Sequence, residues 1–178
     1  FNERYIIRGE MDRILTRPLH NLAQVCLESM APDRIFGIIS GLIIMGYAAF
    51  KLDLSFHWYD PLLFVVLVIG GALIYAGVYT AIAAVSFFSD SRTGIAPMIW
   101  NIQQYGRYPV DVYNKVIRFV LTYILPFAFV GVYPAAYFLR KETWYVYAAF
   151  TPVMGVIFFG IGLAIWNWGV RKYRGAGS

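Results

Sequence analysis

"PLLFVVLVIGGALIYAGVYTAIAAVSFFS", residues 61–89, runs for twenty-nine residues without a charge. About 20 mainly apolar residues let a helix cross the hydrocarbon layer of a bilayer, roughly 30 Å thick. A core helix of a water-soluble protein is usually shorter and polar along one face. This stretch is apolar on every side. It therefore reads as a membrane-spanning helix, and that reading decides the class of the whole chain.

Working outward, three more stretches qualify or nearly do. Residues 35–50 are uncharged but short, and they extend through Leu54 if Lys51 snorkels to the headgroups. Residues 119–139 are uncharged but hold Pro126 and Pro134. Residues 143–170 are uncharged and end in Trp166 and Trp168, which suit an interfacial belt. The expected spans are about 35–54, 61–89, 116–137 and 145–169. They lie between a polar lead, 1–34, and a tail, 171–178. The expected fold class is all-α: a polytopic helical membrane protein with four spans in this chain.

Composition agrees. The chain is 60% hydrophobic and only 14% charged, whereas soluble domains are nearer half apolar and a quarter charged. The net charge of +5 does not point to nucleic acid, because the basic residues sit at the ends of apolar runs. The single cysteine, Cys26, allows no internal disulfide. The chain starts at Phe1, and residues 1–8 lack the order of a signal peptide, which reads as a fragment or a chain missing upstream segments.

Arginine and lysine also set an expected orientation. The lead 1–34, the link 90–118 and the tail hold twelve of them, against three in 51–60 and 140–142. The positive-inside rule then puts both ends and the 90–118 link in the cytoplasm.

Several chemistries find no support. No phosphate-cradling G-x-x-x-x-G-K-[ST] loop, H-E-x-x-H, C-x-x-C or G-x-S-x-G motif occurs. The span cores carry no ionisable residue, which argues against an ion-coupled pump or an intramembrane enzyme working through them. No catalytic, cofactor or metal residue is expected. Gly37 and Gly41 form a G-x-x-x-G pair. It suits either a close contact between subunits or ordinary helix packing within the chain.

"RGEMDRILTRPLHNLAQ", residues 8–24, is the polar exception. Met11, Ile14, Leu15, Leu19 and Leu22 recur at helical spacing, with Glu10, Asp12, Arg13 and Arg17 mostly off that face. Pro18 should end or kink the first short helix. The segment suits an amphipathic helix lying on lipid phosphates. Its mixed charges equally suit docking to a protein partner. "NIQQYGRYPVDVYNKVIRF", 101–119, reads as an interfacial link on the cytoplasmic side. Tyr105 and Tyr108 would lie at headgroup level, Gly106 and Pro109 would interrupt the helix, and Arg107 would pair with Asp111.

Two of these stretches, 8–24 and "YGRYPVDVY…VLTYILPFAFVGVYPAAYFL" (105–139), with the ending "RKYRGAGS", resemble the permease subunits of ABC-2-type transporters, in the bacterial branch with short, all-membrane permeases. The resemblance covers nearly the whole chain. It implies six spans, of which this chain would hold the last four, and a cytoplasmic coupling helix before the third. Gly9, Glu10, Asp12, Arg13, Arg17 and Pro18 would then meet an ATP-binding subunit. Two such subunits are expected, carrying ATP and Mg, with a second permease, identical or homologous. It also implies re-entrant helices on the outer side. Pro126 and the pair Tyr133-Pro134 are where the helix would break, with 130–145 as a cap or gate; a proline-kinked helix with a short loop is the plainer alternative. The expected function is ATP-driven export of an amphiphilic or apolar cargo across a bacterial cell membrane. The alternative is a scaffold that recruits some other cytoplasmic partner.

Overall fold

A computed structural model of the chain describes residues 4–5, 9–28, 34–85, 87–88, 96–139 and 145–173. Among them there is no strand. Two helices are long and apolar enough to cross a membrane: α4 (Asp60–Val85) and α8 (Tyr145–Lys172). At 1.5 Å per residue, α4 is roughly 39 Å long, enough to span with some tilt. Asp60 and Pro61 open it, an acid and a first-turn proline where the helix dipole and the missing N–H favour them. Arg171 and Lys172 close α8 at the opposite pole.

The two helices pack side by side and run parallel. Gly70 of α4 faces Pro152 and Gly155 of α8, Gly77 faces Phe158 and Gly162, and Ala84 faces Gly169. Their glycines therefore recur every seven residues on both helices. A Cβ on Gly155 would stand 2.6 Å from the Gly70 carbonyl oxygen, and one on Gly162 2.8 Å from the Gly77 Cα. Apolar helices in lipid gain little from hydrophobic burial against each other, so close backbone contact through small residues is what holds such a pair.

Parallel neighbours require the chain between them to return from the Val85 end to the Asp60 end. It does so in pieces. Helix α5 (Ala96–Tyr105) runs back beside α4, where the Tyr79 hydroxyl donates to Gln103. A Cβ on Gly106 would stand 2.8 Å from the Phe127 Cβ, and the Phe127 ring packs 5.5 Å from Tyr75. Residues 107–126 are thus a closed excursion that leaves and returns to one place. It contains α6 (Lys115–Phe119), capped by the Asn114 side chain accepting from the Ile117 N–H at 2.9 Å. A π-helical turn, Val120–Ile124, continues α6 up to Leu125-Pro126. After a 3₁₀ turn at Phe127–Phe129, α7 (Val132–Phe138) climbs to the Asp60 end.

The helical runs on either side of Pro126 meet at 74°, so 116–137 is a broken span or a re-entrant pair rather than a straight crossing. The break falls at Pro126 as its ring requires. Tyr133-Pro134 breaks nothing: Pro134 sits in the first turn of α7, where a missing N–H costs little. Of the expected gate 130–145, residues 140–144 lie outside the described residues.

Helix α3 (Arg34–Lys51) is shorter than expected, with 17 apolar-run residues from Ile35, and stands apart. Its side chains are exposed from Ile35 to Tyr47. Packing within the chain is not what Gly37 and Gly41 do among the described residues, since a Cβ on either would meet nothing within 4 Å. The glycines that let two spans touch are those of α4 and α8.

The Asp60 end is tied. The buried Asp60 carboxylate accepts from the Tyr137 hydroxyl of α7 at 3.0 Å and from the His57 N–H at 2.8 Å. Phe138 packs between Phe56 and Phe64. Tyr137→Phe removes one bond to a charged group, expected to cost about 1.5–3 kcal/mol. Hydrogen exchange should accelerate across 132–138 and leave α4 protected. Unchanged exchange in α7 would show that Asp60 does not hold it.

Candidate functional site

The polar lead folds into a helical hairpin. Helix α1 (Glu10–Leu15) follows Gly9, whose φ of 71° lies in the left-handed region that glycine adopts without strain. Pro18 sits in the turn after α1, and α2 (Asn21–Glu28) follows. The Gln24 side chain staples the turn, donating to the carbonyls of Leu19 at 2.9 Å and Ile14 at 3.3 Å. Met11 and Ile14 are fully buried and, with Leu22 and Val25, pack on Ala84 and Trp166. Phe87 and Tyr173 complete the contact.

The hairpin therefore sits on the Val85 end of α4 and the lower half of α8. One polar contact fixes it: Trp166 Nε1 donates to Asn21 Oδ1 at 3.2 Å. Trp166 was expected in an interfacial belt, but it is fully buried, edge-on to Phe87 at 5.3 Å. Trp168, which faces outward beside Phe88, keeps that reading.

On the outer face, three arginines share two glutamates. Arg4 meets Glu10 at 2.7 Å and Glu28 at 3.4 Å, Arg13 meets Glu28 at 3.5 Å, and Arg17 meets Glu28 at 3.7 Å. The Tyr5 hydroxyl also donates to Glu28 at 3.3 Å. The bond to Glu10 holds the Arg4 guanidinium above its usual pKa. So Glu10, Arg13 and Arg17 are joined to each other rather than merely presented outward. Sequence reasoning missed Arg4 and Glu28 because they lie 24 residues apart. It missed Asn21 because its partner is 145 residues away. Leu15, Leu19 and Leu27 stay exposed beside Asp12 and Pro18, an apolar and polar surface facing away from the spans.

These ion pairs are half-exposed, so each is worth little alone, about 0–1 kcal/mol. Arg17→Gln should leave thermal stability within that range. Reversing both Arg13 and Arg17 to Glu puts like charges around Glu28 and is expected to separate α1 from α2. Limited proteolysis near Pro18 reads this directly: cleavage should rise in the double reversal and not in the single neutral variant.

The family model described as "ABC-2 family transporter protein" matches residues 1–177. The chain belongs to the ABC-2 transporter family. Neither curated proteins nor solved structures give a match. Membership makes this a membrane-embedded permease subunit, which in general works with an ABC ATP-binding partner.

The second candidate region of this ABC-2 transporter lies around α7. Arg107, Pro109 and Asp111 share a cavity of about 400 Å³ with Ala135, Ala136 and Leu139 of α7. Lys115, Arg118, Thr122 and Tyr123 share another, of about 230 Å³, with Tyr133 and Tyr147. Both sit toward the Asp60 end. The 101–119 link therefore does not stay at the Val85 end of the spans: Gly106 packs beside the middle of α4, Val110 is fully buried, and Arg107 and Pro109 lie next to α7. Tyr105 and Tyr108 are exposed, and Arg107 does not pair with Asp111, which instead meets Arg118 at 3.4 Å. The physical reason is Gly106, whose missing side chain admits Phe127 and folds the link inward. Pro126 ends the descending helix, and Tyr133, hydrogen-bonded to Thr122 at 2.9 Å and stacked on Tyr147, anchors the start of α7.

Proposed function

We propose that this chain is the permease subunit of an ATP-driven exporter, with ATP and Mg held by a separate ATP-binding subunit present in two copies. The observation that carries this is the α1–α2 hairpin. It is rigidly seated on both parallel helices through Met11, Ile14 and the Asn21–Trp166 bond, while Leu15, Leu19 and Leu27 remain uncovered. A partner gripping that surface moves α4 and α8 together. A ligand shifts a conformational balance only by its differential affinity for the two states. ATP on the partner supplies that difference, and the hairpin transmits it.

Residues Gly9, Glu10, Asp12, Arg13, Arg17 and Pro18 form the coupling segment in this reading. The polar lead, Arg92 and the tail still outnumber the basic residues at the other end once Arg107, Lys115 and Arg118 are placed there. Both ends of the chain are therefore cytoplasmic, in a bacterial cell membrane. The helices on either side of the break at Pro126, with Tyr133 at the start of α7, lie on the outer half as a gate. Non-helical backbone at that depth needs protein or a watery path around it. A second permease, identical or related, covers the exposed face of α3 and completes the path for an amphiphilic or apolar cargo.

Mild-detergent purification of the full-length protein, with mass spectrometry of what accompanies it, tests this. An ATP-binding subunit should copurify, and Leu19→Glu should release it. Intact complexes without such a subunit would overturn the reading.

A further inference from the structure

The smaller cavity beside α7 has an unusual lining. Lys115 and Arg118 stand one helical turn apart on α6, and Thr122, Tyr123, Tyr133 and Tyr147 supply hydroxyls. No acid lines it. Thr122 and Tyr133 are almost fully buried and bonded to each other at its floor. Lys115 is exposed and has no ion-pair partner among the described residues. Arg118 meets Asp111 at 3.4 Å, but both side chains are about half exposed, at 46% and 56%. Such a pair is weak and exchanges readily for a better oxyanion.

We propose that this cavity binds the anionic headgroup, phosphate or carboxylate, of an amphiphile. This rests on the exporter reading, which places the cavity on the outer half and makes the amphiphile a cargo. Basic residues are depleted on the translocated side of membrane proteins. Lys115, without an ion-pair partner among the described residues, adds a second positive charge beside Arg118 there, and an oxyanion suits the two. Arginine's planar fork takes two oxygens of one oxyanion, and lysine adds a point charge. A volume of about 230 Å³ holds a headgroup and not a chain. The chain has a surface that continues from the cavity's edge: Phe119 and Tyr123, which line it, and Val116 beyond them are exposed at 55%, 58% and 70% along the same helical run. That apolar strip next to two cations favours an amphiphile over a free anion.

Lys115 is its own reporter. The full-length protein in phosphatidylcholine nanodiscs is treated with an amine-acetylating reagent, and labelling of Lys115 is read by peptide mass spectrometry. Dihexanoyl phosphatidic acid should protect Lys115, whereas dihexanoyl phosphatidylcholine and inorganic phosphate at equal concentration should not. In Arg118→Gln the half-protecting concentration should rise about tenfold, the loss of one charge-assisted contact. No protection by the phosphatidic acid, or equal protection by the zwitterionic lipid, overturns the proposal. Equal protection by inorganic phosphate makes it a free-anion site and overturns the amphiphile. An unshifted curve in Arg118→Gln overturns the assignment of the cation. Protection of Lys115 in a protein that recovers no ATP-binding subunit would sink the exporter reading and leave the headgroup site standing. Recovery of that subunit with Lys115 unprotected would do the reverse.

Discussion

Gly77→Ala is expected to destabilise the membrane domain by about 3 kcal/mol, the upper end for forcing a methyl group into a full interior. The new Cβ would meet the carbonyl of Phe158 and the nitrogen of Phe159, both backbone atoms of α8. A side chain in that place would turn aside, but a helix backbone moves only as a whole. Gly162→Ala attacks the same seam from the other side, against the backbone of Gly77. The helices must part along a contact that extends from Gly70 to Ala84, and each lost backbone approach weakens the next. Thermal unfolding in detergent should fall clearly in both variants. The double variant should be less than additive, because either methyl alone already opens the seam. Gly37→Ala and Gly41→Ala are the controls. Nothing in this chain meets a Cβ there, so stability of the isolated subunit should stay within about 0.5 kcal/mol. If those two instead weaken the assembled transporter, the face they occupy meets a second subunit. If Gly77→Ala is neutral, α4 and α8 do not touch as described.

That seam shows where sequence reading stops. α4 spans Asp60–Val85 where 61–89 was expected, and α8 Tyr145–Lys172 where 145–169 was expected, because an uncharged run names its own length. The G-x-x-x-G pair drew attention to α3, yet the glycines that touch recur at seven, on two helices far apart in sequence. A one-chain pattern does not say which helix faces which. Pro126 was legible because a proline inside a helix has one local consequence. Tyr133-Pro134 was misread because that consequence vanishes in a first turn, and the turn begins only where Phe127 has already bent the chain. Of the polar lead, the helices were legible from their period. The network was not: Glu28 lies beyond the stretch that carries the charge pattern, and Arg4 precedes it. Nor was the 101–119 link, whose glycine looked like an interruption and is a packing contact.

The other large effect belongs to Trp166. Trp166→Ala should cost about 3–5 kcal/mol, as expected for a fully buried tryptophan. Its consequence should be local. The indole reaches from α8 into the apolar cluster under the hairpin, so its loss removes the ring on which Phe87 packs, with Tyr173 behind it, along with the bond to Asn21. The spans keep the part of their glycine seam that lies higher along α8, at Gly155 and Gly162; only its lower end, Ala84 against Gly169, is next to the lost indole. The hairpin loses its seat. Cys26, exposed on α2 and the sole cysteine of the chain, is the natural place for a fluorescent label. In Trp166→Ala that label should become mobile while the helices stay folded. If the hairpin couples an ATP-binding partner to the spans as proposed, transport should then fall much further than ATP hydrolysis, since that partner would still hydrolyse while its motion no longer reached α4 and α8. Trp166→Phe separates the two contributions. It keeps most of the apolar contact and removes only the donor to Asn21, whose oxygen retains the Leu22 N–H at 2.7 Å. A loss of about 1 kcal/mol is expected, with a still-immobile label and nearly intact transport. If Trp166→Ala lowers hydrolysis and transport in equal proportion while the label stays fixed, the hairpin is not the link between partner and spans.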